Sequence, residues 1–320
     1  MNPADVRAMR NELIGAVHQL MRGDERIFFL SADFGAPALD PLRAEFPERF
    51  VNVGIAEQNL INMATGLALE GFVVFAYGIA PFLSMRCYEQ MRINLAMMGQ
   101  VRPLNVNLIS VGAGISYDLS GPTHHCLEDL SVMRTLPNVA LFSPSDWVQA
   151  QQFAAYAVET SGAKYARLDG KIVPPLYEEG ETVAFARGFA ELRAGETCCL
   201  VGTGYATHMA LRVAERLKES GVSVAVVDVF MLQPLDRAGL AAVLARFGNV
   251  VTLEEGFVGC GGLDSLIAAI VREHGVAVRQ HSFGCAQRYC FENDTRAGLL
   301  QRYGLDEGAI FEYVMNLRRE

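Results

Sequence analysis

Four short stretches in the first half of the chain are polar or glycine-rich: Leu30-Ser31-Ala32-Asp33, Val53 to Gln58, Tyr77 to Gln90, and Ser120 to His125. An anonymous buried core has no need of them, so their side chains are read first for chemistry. Glu57 is a carboxyl that can hold or share a proton; its plainer reading is a helix-start carboxylate favoured by the macrodipole. His124 and His125 are imidazoles, which donate or accept near neutral pH. Phe82 and Tyr77 offer flat apolar faces, on which a flat heteroaromatic ring gains about 0.5–1.5 kcal/mol beyond burial; core packing is the plainer role. Arg86 can face a phosphate or pair with Glu89 on the surface. Neighbouring histidines rarely chelate one ion, and no His, Cys or carboxylate spacing suggests zinc, so no metal is expected on this chain.

The elements that must position these groups follow from periodicity. Helix-period and continuous apolar segments alternate, as in α/β proteins with largely parallel sheets. Val6, Met9, Leu13, Val17 and Leu20 share one face of an opening helix, and Ile27-Phe28-Phe29-Leu30 is apolar on both faces, as a central parallel strand is. A helix over about 56–69, a strand over 72–77, a helix over about 82–98 and a strand over 104–111 come next. Strands over 139–142 and 164–168 flank a helix that starts after Ser145-Asp146. The four polar stretches follow strands, where open α/β sheets place ligands.

Pro174-Pro175 and the acidic run Glu178-Glu179-Gly180-Glu181 read as a linker. Beyond it a second unit has strands over 197–201, 222–229, 250–253 and 276–280. The expected fold class is therefore α/β, with two doubly wound domains over 1–178 and 190–320.

Composition narrows the function classes. The 320 residues are 51% hydrophobic and 20% charged, enough for two cored domains. A net charge of −9 and no stripe of Lys and Arg argue against a nucleic-acid partner. Met1 to Arg10 has no apolar leader, and charge interrupts every apolar run short of a membrane span. Seven scattered cysteines fit reduced thiols in a cytoplasmic protein better than a disulfide framework.

The order of motifs is more specific than any one of them. Met-Arg in the first helix (Met9-Arg10), S-A-D (31–33), G-I-A-E-Q (54–58), a Phe-containing turn with Y-E-Q (88–90), and G-P-T-H (121–124) resemble the pyrimidine-binding domain of transketolases and of the related 1-deoxyxylulose-5-phosphate synthases. The second half is similar to their C-terminal domain through D-V-F-M-L-Q-P-L-D (Asp228 to Asp236) and L-E-E-G (Leu253 to Gly256). The resemblance covers essentially the whole chain.

It implies thiamine diphosphate as cofactor. Glu57 matches the glutamate that bonds the aminopyrimidine ring and favours the imino tautomer, whose exocyclic nitrogen then generates the thiazolium ylide; the cofactor supplies the difficult chemistry and the protein its orientation. Phe82 matches the ring stacked on the pyrimidine, with Tyr77 a second candidate for that wall and Asp33 a third cofactor-side residue. His124 matches the histidine that contacts substrate oxygens near the reacting carbon, and His125 replaces the usual glutamine behind it. Arg10 and Arg167 match arginines that help bind the sugar-phosphate end, where a planar fork meets phosphate bidentately; the plainer reading of each is a salt bridge.

Some positions depart from the family. Ser120 stands where transketolases carry an aspartate that reads a substrate hydroxyl, in a loop lengthened by Ile115 to Leu119, and Asp118 is the candidate replacement. Pro37 stands where a phosphate-binding serine is expected, and a family histidine is missing near Ser110. The acceptor pocket is thus remodelled.

The G-D-G motif and downstream asparagines that hold Mg²⁺ and the diphosphate belong to a separate domain in this superfamily, and the string Gly23-Asp24-Glu25 is no substitute. The resemblance thus implies a partner subunit that carries those ligands, an active site between chains and an α₂β₂ assembly. The expected activity is transfer of a two-carbon ketol unit from a ketose, phosphorylated or not, to an aldehyde. The alternatives are a decarboxylating acyloin synthase of the 1-deoxyxylulose-5-phosphate synthase type, a dehydrogenase-type β subunit (against which the G-P-T-H-H loop argues), and a non-catalytic scaffold.

Overall fold

The structure, a computed structural model, describes residues 6–317, so the reading of Met1 to Arg10 and the outer domain limits fall partly outside it. Two α/β units follow one another. The first sheet has the order β10-β5-β6-β4-β3-β1-β2, built from β1 (Ile27–Ser31), β2 (Phe50–Asn52), β3 (Val73–Ile79), β4 (Asn105–Val111), β5 (Val139–Phe142), β6 (Ala163–Leu168) and β10 (Met231–Gln233). All its pairs are parallel except β10 with β5. The second sheet, β12-β11-β8-β9-β7, holds β7 (Phe189–Arg193), β8 (Cys199–Gly202), β9 (Ala225–Val229), β11 (Asn249–Phe257) and β12 (Arg279–Cys285), with β7 antiparallel at its edge.

Helices cover both faces of the first sheet, which is why its central strands are apolar on both sides. Helix α1 (Met9–Gly23) turns Met9, Leu13, Ile14, Val17 and Met21 inward and packs on the helix Trp147–Glu159. That face also receives Phe29, Phe75 and Tyr77, with Leu39 and Leu42 of helix α2 (Leu39–Glu45). The opposite face is covered by helix α3 (Glu57–Leu69) and a helical run over 82–101, against Leu30, Val74 and Ala76. Among the described residues no helix is long and apolar enough to cross a membrane.

Three of the strands that begin later than the sequence pattern suggests do so for one reason. Phe72, Val222 and Val276 each follow a left-handed glycine that ends a helix (Gly71, Gly221 and Gly275). Their N–H groups bond back to Leu67, Val271 and, for Val222, Leu217. They are the apolar contacts of helix-terminating turns, not strand starts. The short strands β2 and β10 and the edge strand β7 have no counterpart in the sequence reading, since three-residue and edge strands carry little periodicity.

The chain order reverses between β1 and β3, the position at which doubly wound sheets bind ligands beyond their carboxyl ends. Asp33 follows β1, Glu57 follows β2, Phe82 follows β3, the 112–126 loop follows β4, and Arg167 lies near the end of β6.

Candidate active site

Glu57 is the first residue of α3, and its position on the helix buries it. Leu60, Ile61, Ala64, Thr65 and Ala68 form the inward stripe, and Glu57 stands one turn before Leu60 and Ile61 on the same stripe. Its side chain is thus turned inward, with 4% exposure. The approach to it is bent by two residues with positive φ, Asp33 (53°) and Gly54 (75°). Asn52 joins them: its amide donates to Asp33 Oδ1 at 2.8 Å, and its own Oδ1 accepts from the Gly54 N–H at 2.9 Å.

Phe82 opens the next segment. Phe82–Arg86 and Met91–Met97 are wound as π-helix, a winding that recurs at functional sites. Leu83 and Ser84 are buried while Phe82 keeps part of its ring open and Arg86 stands exposed. Arg86 Nη1 donates to Glu57 Oε2 at 2.6 Å. Its guanidinium also lies over the Phe82 ring, 4.5 Å from the centroid. Arg86 therefore does not pair with Glu89, which is held by Arg92 at 3.3 Å. Beneath them burial, followed by the nearby Glu57 carboxylate, pushes the Cys87 thiol up to about 12, so it stays protonated.

His124 closes the row. Its ring meets Phe82 edge-on, centroids 5.4 Å apart, and its Nδ1 lies 3.1 Å from Thr123 Oγ1. The loop that presents it is tied at its base by paired backbone bonds between Gly114 and Cys126, at 3.1 and 2.8 Å. Inside that loop Tyr117 packs on Gly112 and Gly170, where an added Cβ would lie 2.4 and 2.7 Å from its ring. Ser120 sits exposed at the tip, beside Leu119. His125 turns the other way and is buried; burial lowers its pKa, against the pull of Asp118. Asp118 is engaged too, by Lys171 and by the Arg296 N–H at 2.8 Å.

Glu57, Phe82 and His124 are thus brought together from three segments, and Asp33 is tied through Asn52 to Gly54, three residues before Glu57. The structure does not bring Tyr77 to them. Strand alternation sends Tyr77 to the opposite face of β3, where it stacks on Phe34 at 5.1 Å. Burial raises its hydroxyl pKa, against the charge of the neighbouring Arg10. Arg10 is half-buried and bonds Asn11 Oδ1 at 3.4 Å. Arg167 is enclosed: its Nε donates to both oxygens of Asp129 at 2.9 and 2.8 Å, and its Nη2 donates to the Glu255 carbonyl at 2.9 Å.

The second-domain motifs join the domains behind this row. Asp228 accepts from Ser145 at 2.6 Å, Tyr177 at 2.7 Å, Thr207 at 2.8 Å and Gln149 at 3.0 Å. Glu254 caps the helix Leu263–Glu273 through the N–H groups of Leu263 and Asp264. Glu255 accepts from Arg296 Nε at 2.8 Å, and Arg296 Nη1 lies 2.7 Å from Asp169. Asp129, Arg296 and the Arg86–Glu57 pair escaped the sequence reading. Each joins residues 29 or more positions apart, so no local spacing signals them.

Comparison with known proteins fits this geometry. The family model for the transketolase pyrimidine-binding domain matches residues 5–168, and that for the transketolase C-terminal domain matches 189–310. The chain is 34% identical to one of the subunits of the apulose-4-phosphate transketolase of Actinobacillus succinogenes, over 87% of each chain. It is 31% identical to a putative transketolase C-terminal section of Methanocaldococcus jannaschii, over 97% of this chain and 96% of that one. A solved structure described as a split gene transketolase, inactive beta4 tetramer, superposes with a TM-score of 0.85 at 33% identity, covering 97% of this chain and 98% of that one.

Proposed function

The chain belongs to the transketolase family, and on that premise we propose that it is the β-type subunit of a two-component transketolase. With a partner it transfers a two-carbon ketol unit from a ketose or ketose phosphate to an aldehyde acceptor. The observation that carries the reading is the row formed by Glu57, Phe82 and His124 beyond the carboxyl ends of the first sheet.

The donor set suits thiamine diphosphate. A buried carboxyl, a partly open aromatic face and an imidazole are what an aminopyrimidine and an adjacent sugar carbonyl require. When bound, the cofactor would supply a carbon nucleophile for ketol transfer. Glu57 holds or shares a proton with a pyrimidine ring nitrogen, and Phe82 fixes the plane of that ring. His124 engages Thr123 through Nδ1, leaving Nε2 to donate to or accept from a substrate oxygen. Asp33, through Asn52, keeps the entry to Glu57 in shape. Arg10 is the cation for the charged end of the substrate, while Arg167, engaged by Asp129, supports the same end from behind. Ser120 at the loop tip and His125 beneath it shape the acceptor side.

The partner carries the diphosphate site and its Mg²⁺ ligands, in a cytoplasmic α₂β₂ assembly. Near end-to-end matches to proteins named as a transketolase subunit and as a C-terminal section support the division of labour. The test is co-expression with a pyrophosphate-domain partner, followed by assay of ketose donors against pyruvate. Glu57→Gln should lower turnover by at least about 100-fold. Unchanged turnover in that variant overturns the reading.

A further inference from the structure

Resting on the proposed function, the geometry assigns Arg86 a place in the cofactor's own seat: we propose that whenever the cofactor is absent its guanidinium occupies the position of the aminopyrimidine ring and must leave before the cofactor binds. The two contacts that define that seat are both taken. Arg86 donates to the Glu57 carboxylate at 2.6 Å, and its flat face lies 4.5 Å from the Phe82 centroid. A guanidinium is planar, conjugated and rich in N–H donors, so it satisfies a carboxylate and an aromatic face together, as a protonated heteroaromatic ring would. One face of Phe82 and one carboxylate oxygen cannot serve both at once.

The pair is built to open from one side. The Glu57 side chain is 4% exposed and that of Arg86 is 43% exposed, so the arginine reaches in from solvent and can withdraw. Its backbone stays in place, because the Gln58 amide donates to the Arg86 carbonyl at 3.3 Å. Pairing also spares the unassembled chain a buried, uncompensated carboxylate before its partner and cofactor arrive. Cofactor affinity is then lowered by the fraction of molecules in which the seat is closed.

The test is isothermal titration of thiamine diphosphate, with Mg²⁺, into the two-component complex carrying Arg86→Met. Tighter binding by about ten-fold is expected, the correction for a seat open in one molecule in ten. Arg86→Lys, which keeps the charge but lacks the flat fork, should tighten binding by about three-fold. Circular dichroism checks that each variant folds, and if Arg86→Met does not, Arg86→Lys alone carries the test. Unchanged or weaker binding in the folded variants overturns the inference, because Arg86 would then support the cofactor. The two readings fail separately. Retained turnover in Glu57→Gln removes the function, whereas an inactive Glu57→Gln beside an Arg86→Met complex that binds no tighter removes the seat alone.

Discussion

The guanidinium of Arg167 and the carboxylate of Asp129 form an ion pair sealed from water, at 2% and 0% side-chain exposure. Burial works against the arginine's charge, but Asp129 heads the groups that outweigh it, so its pKa stands above the ordinary value. Through the Cys126 and Glu255 carbonyls the same side chain ties the His124 loop to the second domain. Arg167→Met should cost about 3–5 kcal/mol, because it leaves Asp129 buried without its cation. Urea unfolding measures this. A variant of undiminished stability with a raised KM for phosphorylated substrates would place Arg167 in direct contact with substrate instead.

His124 should behave as a proton-handling group. His124→Ala in the reconstituted complex is expected to lower kcat/KM by about 100-fold or more. Thr123→Val, which removes the hydroxyl beside Nδ1, should have a smaller effect of about 10-fold. Steady-state kinetics with a ketose donor separates the two, and equal losses would contradict the division of roles.

The loop that presents His124 depends on Gly112. Its φ of 107° disfavours any side chain, and a Cβ there would meet the Tyr117 ring at 2.4 Å. Gly112→Ala should cost about 2–4 kcal/mol, from backbone strain and overpacking together. Adding Tyr117→Ala removes the collision but not the strain, so in thermal melts the double variant should recover only part of the loss from Gly112→Ala.

Asp228 gives stability a definite pH dependence. Burial pushes its carboxyl up to about 6, outweighing the four donors that favour its charged form. The folded protein therefore binds this proton more tightly than the unfolded chain. The contribution is complete below the ordinary value of 3.8 and is lost as pH rises through about 6. Relative to Asp228→Asn, wild-type stability should fall by about 2 kcal/mol between pH 4 and pH 7. Urea titrations at several pH values read it, and a constant difference would show that the carboxyl keeps its ordinary affinity.

Much of the fold was legible because it rests on local pattern. The two-sided apolar run at Ile27 to Leu30 implied a central parallel strand, and Asp146 caps its helix through the Gln149 N–H, as the Ser145-Asp146 signal suggests. Strand starts were less legible at Phe72, Val222 and Val276, since an apolar residue after a helix-ending glycine looks the same whether it begins a strand or closes a turn. Glu57 was legible through its motif, whereas its place on the inward stripe of α3 became visible only in the fold.

The sequence by itself determined which chemical groups the chain carries and the order in which strands deliver them to one edge of a sheet. Period and motif are properties of neighbouring residues, and they need no fold to be seen. Tertiary structure decided which groups meet. It sent Tyr77 to the far face, enclosed Arg167 against Asp129, and set Arg86 on Glu57 and Phe82. Those outcomes depend on strand register, on burial that leaves a charge with no partner but another buried group, and on contacts between residues far apart in the chain.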